Sequence, residues 1–341
     1  MLGRVVSDFE SFLERLERQQ RTLVFHDSDA DGVTAGVVLQ RALERLQFAD
    51  VARSAPTRER DAWSDANRTL IASFEPRSLF VLDLGSREEA LIDGPMCFID
   101  HHRPDGVPPG ATLISAYKWD PIPNTSLIVY DLVSVLVDVS DVEWIAALGV
   151  ISDLGERAPF PILERMRAKY AMSDLKQATT LVNAARRASL YQPETAARAL
   201  LNHASPRELV KSQSDDVRAL KEAREEVKRE MAEAKKAAPK FSGKVALVRI
   251  RSRCQIHPVI AQIWRTRLPA YVVMVANDGY MPGRVNFSMR TSSSTNLLDF
   301  LRAIDIGDGE GSYARGHDQA TGGSLPAERF EALLRKLGLA P

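Results

Sequence analysis

Three aspartates alternate directly behind a short apolar run in Leu23-Val-Phe-His-Asp-Ser-Asp-Ala-Asp-Gly32, and this stretch constrains the fold more than any other. Leu23, Val24 and Phe25 read as a short buried strand. Gly32 to Leu46 reads as a helix, with Val33, Val37, Leu39, Leu43 and Leu46 as its buried positions. A strand–turn–helix in an α/β sheet delivers its loop to the carboxyl edge of the sheet, where such folds bind ligands. Asp27, Asp29 and Asp31 crowded there repel one another, and the usual compensation is a divalent cation. Asp-x-Asp-x-Asp-Gly also opens an EF-hand loop, but the twelfth position, which needs a bidentate Glu, is Val38, and a strand rather than a helix precedes it. Taken alone, the motif is also compatible with a solvated acidic turn.

At 341 residues the chain suits two domains. Its 45 basic and 45 acidic residues cancel, so no global basic field announces nucleic acid, and a polyanion site must be local or rest on metals. Cys97 and Cys254 are too few and too far apart for a disulfide framework or a CxxC zinc site. No apolar run approaches the length of a membrane span and the N-terminus lacks a signal-peptide core, so a cytoplasmic protein without membrane association is expected.

Residues 8–20 form an amphipathic helix pattern with Phe9, Phe12, Leu13 and Leu16 on one face, and residues 61–75 a second helix. Leu79 to Gly85 and Met96 to His102 are apolar strand runs ending in Asp83 and in Asp100-His101-His102. Residues 104–123 are loop-rich in proline; Ser126–Leu136 and Asp141–Ile151 read as helices, the second running into Asp153. Residues 162–203 are helical, and 207–236 form a charged connecting helix broken at Ala237–Gly243. Strands then predominate (245–251, 270–276, 285–290), followed by a helix at 296–304, a polar glycine-rich loop at 307–323 and a closing helix at 327–337. The expected fold is α/β: a mainly parallel sheet domain (1–206), a helical linker (207–240) and a smaller α/β domain with a mixed sheet (241–341).

Asp27, Asp29, Asp31, Asp83, Asp153, His101 and His102 supply up to seven ligands, enough for two cations sharing a bridging carboxylate. Oxygen donors with some imidazole suit manganese or magnesium better than structural zinc. Two such ions roughly 3.5–4 Å apart clamp the attacking and leaving oxygens of a phosphoryl displacement, with no need for a side-chain nucleophile. A single Asp at a strand end is more often a turn or helix cap; the coincidence at several strand ends carries the signal.

Asp27-Ser-Asp-Ala-Asp-Gly32, Asp83, Asp100-His-His102 and Asp153 resemble, in order and spacing, the four motifs of DHH-family phosphoesterases. The tail, Ser288-Met-Arg290 followed by Gly316-His-Asp-Gln-Ala-Thr-Gly-Gly323, resembles the associated DHHA1 domain and its glycine-rich loop, with Ala314-Arg315 in place of the first two glycines. The resemblance implies that Asp29, Asp31, Asp83, His101 and Asp153 hold two manganese ions (magnesium being the alternative), with Asp83 as bridge and Asp27 as a further ligand or close neighbour. Asp100 would orient the histidines, and His102 would contact the scissile phosphate or protonate the leaving group. From the tail domain, Ser288, Arg290, Arg315, Gly316, His317, Gly322 and Gly323 would bind substrate, arginine gripping phosphate through its fork and the glycines admitting backbone N–H groups.

Motif I reads Asp-Ser-Asp-Ala-Asp-Gly rather than the His-x-x-Pro-Asp-x-Asp of nanoribonucleases, pAp phosphatases and cyclic-dinucleotide phosphodiesterases, and so resembles RecJ-like exonucleases. His26 stands one position from the nanoribonuclease histidine and is not counted as a ligand. The implied activity is exonucleolytic trimming of single-stranded DNA or RNA, 5′ to 3′. Hydrolysis of short oligonucleotides or small nucleotides, and a non-catalytic nucleic-acid-binding role, are the alternatives. Oligomeric state stays open, a homodimer included.

Overall fold

The computed structural model describes residues 2–304, 306 and 314–339, the side chains of Leu2 and of 314–317 excepted. The chain divides into two compact units, residues 1–186 with 191–222, and residues 187–190 with 223–341.

In the first unit the strands are β1 (Thr22–His26), β2 (Val51–Ser54), β3 (Ser78–Leu82), β4 (Met96–Asp100) and β5 (Thr112–Ser115). They form one sheet in the order β2-β1-β3-β4-β5 with every pair parallel. The helices are α1 (Leu2–Glu14), α2 (Ala30–Arg45), α3 (Asp65–Ser73), α4 (Thr125–Ser134), α5 (Glu143–Asp153), α6 (Pro161–Lys169), α7 (Met172–Arg187), α8 (Pro193–Leu201), α9 (Pro206–Lys211) and α10 (Asp215–Ala234). β1, β3 and β4 are buried along their whole length, which explains why they read as continuous apolar runs rather than as alternation. Val24, Phe80, Leu82, Cys97 and Ile99 pack against α1, α2, α4 and α5. Leu23, Phe25, Leu79, Val81 and Phe98 point the other way, toward Trp63 and Ile71. His26 is in register with Leu82, and Leu82 with Ile99. Asp27 and Asp83, each directly after its strand, and Asp100, the last residue of β4, therefore stand side by side at one edge of the sheet.

The second unit holds β6 (Lys240–Ser242), β7 (Val245–Ile250), β8 (Val272–Met281), β9 (Arg284–Arg290), β10 (Ala314–His317) and β11 (Ala320–Pro326), with α11 (His257–Arg267), α12 (Leu297–Arg302) and α13 (Ala327–Lys336). Its sheet runs β10-β11-β9-β8-β7-β6; β7 and β8 are parallel and the other pairs antiparallel, as a mixed sheet requires. The mainly parallel first sheet and mixed second sheet are those expected.

Several elements differ from the sequence expectation. The first helix begins at Leu2 and ends at Glu14 rather than spanning 8–20. β5 lies within the proline-rich stretch, and α11 carries no clear sequence signal. The charged run after 206 is two helices, parted at residues 212–214. In α10, Val217 and Leu220 join the core of the first unit, while Val227 and Met231 pack with that of the second. Of the expected glycine-rich loop at 307–323, residues 307–313 lie outside the described residues and 314–323 form a hairpin, in which Arg315 pairs with Gly322 and Gly316 with Thr321. No helix among the described residues is long and apolar enough to cross a membrane.

One partly buried acid in the first unit gives a stability prediction. Burial pushes Asp131 on α4 up to about 6, against the opposing charge of Arg165. The folded state thus holds that proton more tightly than the unfolded chain does. The associated stability is present below the ordinary carboxyl range and lost as pH rises through about 6. Asp131→Asn is therefore expected to raise unfolding free energy by about 1–2 kcal/mol at pH 7 and to have little effect near pH 4, as urea melts at the two pH values would show.

Candidate metal centre

The three strand ends and two helix termini build one acidic site. Beyond β1, Asp29 caps α2: its Oδ1 accepts from the N–H groups of Asp31 at 3.1 Å and Gly32 at 3.2 Å. Asp31, in the first turn, is buried against the start of α4. There Oδ1 accepts from Asn124 Nδ2 at 2.6 Å and the Ser126 N–H at 2.7 Å, and Oδ2 from the Thr125 N–H at 3.0 Å. A negative charge at a helix N-terminus is favourable, so α4 tethers Asp31 electrostatically as well. After β3, Asp83 takes a left-handed backbone conformation (φ 63°), rare for a residue with a side chain. Its N–H donates to Ile99 O at 3.1 Å and its Oδ1 accepts from Thr125 Oγ1 at 3.0 Å. At the end of β4, Asp100 Oδ1 accepts from both the N–H and Nδ1 of His102, each at 2.7 Å. Asp153 is the last residue of α5.

His101 Nε2 lies 3.4 Å from Asp83 Oδ1, 3.8 Å from Asp31 Oδ2 and 3.9 Å from Asp153 Oδ2. Three groups of side chains offer donor atoms within 4.8 Å of one another: Asp83, Asp100, His101 and His102; Asp31, His101 and Asp153; and Asp27, Asp29 and Asp83. Asp83 belongs to two groups and His101 to two, so the three groups share donors.

The electrostatics fit a divalent cation. Asp31 is pushed well above the usual carboxyl range by burial and then by the charge of Asp83. Asp83 is raised by burial and then by Asp29. Asp153, partly exposed at the rim, is raised by partial burial and by Asp29. A cation among these oxygens would relieve both burial and repulsion. The oxygen-rich set with imidazole matches manganese or magnesium. Burial would lower His102, but the Asp100 carboxylate outweighs it and the ring is pushed up to about 9.

Sequence reasoning missed the cations of the site. Arg60, in the loop before α3, donates through Nε to Asp27 Oδ1 at 2.8 Å, and its Nη2 bonds Asp27 Oδ2 and reaches Asp29 Oδ2 at 3.1 Å. Arg186 Nη2 stands 3.6 Å from Asp29 Oδ2. Against burial, Arg186 and then Arg60 hold Asp29 well below the usual carboxyl range. Asp27, expected among the ligands, thus has both oxygens engaged by a guanidinium. Asn124 and Thr125 also gave no sequence signal, since neither belongs to an acidic motif.

The candidate substrate residues lie in the second unit. Arg290 Nη1 donates to Ser288 Oγ and Met289 O, each at 2.8 Å, and the group is pushed down to about 10 by burial and then by Arg265. Gly322 and Gly323 sit within β11 and Gly316 within β10, not in an anion-binding loop. At Gly322 the reason is close approach: a Cβ there would stand 2.6 Å from Phe287 O of the neighbouring strand. The side chains of Arg315 and His317 lie outside the described residues.

Residues 21–150 match the DHH family, N-terminal domain. The first unit carries a DHH domain. Asp27 to Gly32, Asp83 and Asp100 to His102 fall within the matched segment, and Asp153 lies just beyond it. The fold of exonuclease RecJ bound to manganese matches over 97% of this chain and 92% of that one, with 19% identity and a TM-score of 0.67. RecJ from Thermus thermophilus in complex with Mn2+ matches with 18% identity and a TM-score of 0.72, over 97% of this chain but 53% of that one, so the chain spans about half the length of that protein. The DHH domain of a member of the s1p family of ribosomal proteins shares the fold at 15% identity, with a TM-score of 0.70, over 100% of this chain and 92% of that one. No curated protein matches the chain in sequence.

Proposed function

We propose that this DHH protein is a RecJ-like exonuclease that removes mononucleotides from single-stranded DNA or RNA, 5′ to 3′, using two divalent cations, manganese or magnesium. What supports it most is the convergence of Asp29, Asp31, Asp83, His101 and Asp153 at one sheet edge, behind a motif I that lacks the nanoribonuclease histidine. Those five residues would hold the metal. Bound there, the cations supply charge neutralisation at phosphate and a more acidic water. The protein's own residues do the rest. Asp100 accepts from His102 Nδ1, so a doubly protonated ring carries its second proton on Nε2, the atom that would hand it to the departing oxygen. Thr125 Oγ1 and the Asn124 side chain fix Asp83 and Asp31 before substrate arrives. Arg290 offers a guanidinium fork suited to phosphate.

The test is a panel of end-labelled oligonucleotides from two to about twenty nucleotides, incubated with Mn2+ and separately with Mg2+; activity that grows with length is the signature of a polyanion site. A mononucleotide ladder from 5′-phosphorylated single strands is expected. Faster turnover of a dinucleotide than of the longest strand would shift the reading to short substrates, and no release from any of them would end it.

A further inference from the structure

The acidic constellation is not uniform. Arg60 binds Asp27 with its fork and Asp29 with the same Nη2, while Asp27 Oδ1 also accepts from the Ser28 N–H at 2.6 Å. Asp29 Oδ1 is engaged in capping α2, and its Oδ2 faces Arg186 as well. Every oxygen of these two carboxylates therefore meets a protein donor. Across the site, Asp31 and Asp83 accept from Asn124, Thr125 and Ser126, which are neutral donors, and the charged groups nearest Asp31, Asp83 and Asp153 are His101 and His102, with Arg186 a lesser influence on Asp153. The fold holds Arg60 in place for this contact. Its backbone is left-handed (φ 52°), with its N–H on Thr57 O at 3.0 Å, and its side chain is 28% exposed. A non-glycine residue keeps such a conformation only when its surroundings impose it. The guanidinium is permanently charged, so it cannot leave by losing a proton; a cation must displace it against a bidentate bond.

We propose that Arg60 is a positioning residue that makes the metal centre asymmetric: one divalent cation binds tightly at Asp31, Asp83, His101 and Asp153, and a second reaches Asp27, Asp29 and Asp83 only by displacing the Arg60 fork. This rests on the acid–histidine cluster being a metal centre, and goes beyond it by assigning unequal affinities and their cause.

The experiment is a titration of the full chain, stripped with chelator, by Mn2+ alone, with free ion counted by electron paramagnetic resonance and no substrate present. The wild type is expected to bind one ion tightly and a second at least ~10-fold more weakly. Arg60→Gln, which removes the charge, should tighten the second ion by about 10-fold and leave the first within about 3-fold, since charges in a shielded site interact strongly. Arg60→Lys, which keeps the charge, should retain the weak second step. Circular dichroism establishes that each variant is folded. Two equal constants in the wild type overturn the proposal even if Arg60→Gln does not fold. So does a folded Arg60→Gln that weakens both steps, because Arg60 would then be a structural clip. Absence of any Mn2+ binding by the wild type would remove the metal-centre reading itself.

Discussion

Asp83→Asn is expected to abolish hydrolysis while making the metal-free protein more stable. Asp83 is the donor common to two of the three ligand groups, and it touches both histidines: its Oδ1 lies 3.4 Å from His101 Nε2 and 3.7 Å from His102 Nδ1. Removing it withdraws a ligand from both prospective ions. If metal supplies several kcal/mol of transition-state stabilisation, the loss in kcat/KM is on the order of 10³-fold or more. Asn is the informative substitution. It tolerates the left-handed backbone that Asp83 adopts better than alanine would, and it can still accept from Thr125 Oγ1. The stability sign follows from the environment. Burial, then the charge of Asp29, raises the Asp83 carboxyl, so at neutral pH its ionised form is a cost to the folded apo-protein. The neutral amide removes that cost. Thermal melts in chelator should therefore show Asp83→Asn above wild type, and melts in Mn2+ should reverse the order, because only the wild type gains ligand stabilisation. A variant that kept both turnover and Mn2+ stabilisation would show that Asp83 is not a ligand.

Most acids of this site were legible because they stand at or just beyond the end of an apolar strand, and parallel strands buried on both faces write themselves as unbroken hydrophobic runs. Once β1, β3 and β4 are placed side by side, the sheet register brings their ends together with no further information. The arginines carry no such mark. Arg60 acts 33 residues away from Asp27, from a loop whose course no periodicity fixes. Arg186 is one charge among many on helical repeats, and only the packed fold shows that its side chain is buried. β2 escaped notice for a related reason: Val51-Ala-Arg-Ser54 contains an arginine that is buried because it pairs with Glu194 at 2.8 Å. In the tail, glycine misled. Its weak strand propensity argues for a loop, yet Gly322 belongs to a strand whose neighbour approaches too closely for a side chain.

Beneath motif I lies a contact that should be as sensitive as the ligands themselves. His26 is fully buried, with Nδ1 2.7 Å from Asp27 O and Nε2 2.9 Å from Arg53 Nη1. Burial, then Arg53, pushes the ring down to about 4, so it stays neutral, donating from Nδ1 and accepting at Nε2. Arg53 is fixed in turn by Glu194 and by Gln40 Oε1 at 3.1 Å. The ring thus ties the carbonyl of the first motif I aspartate to an ion pair whose arginine is buried and whose glutamate reaches the surface. It packs against α2 at Gly36, where a Cβ would stand 2.2 Å from His26 Cδ2. Gly36→Ala must therefore move either the ring, breaking buried hydrogen bonds, or α2, whose N-terminus Asp29 caps. Overpacking and a broken buried bond each cost about 1–3 kcal/mol, so a loss of ~3 kcal/mol or more is expected in urea unfolding, together with weaker Mn2+ binding. A general helix effect cannot account for that, since alanine is the better helix former by ~1 kcal/mol. The double variant His26→Ala/Gly36→Ala frees the space and should be more stable than the sum of the single effects allows, by at least ~1 kcal/mol. Strict additivity would mean that the ring and the glycine do not meet, and that motif I is held in place by the Asp29 cap and Arg60 alone.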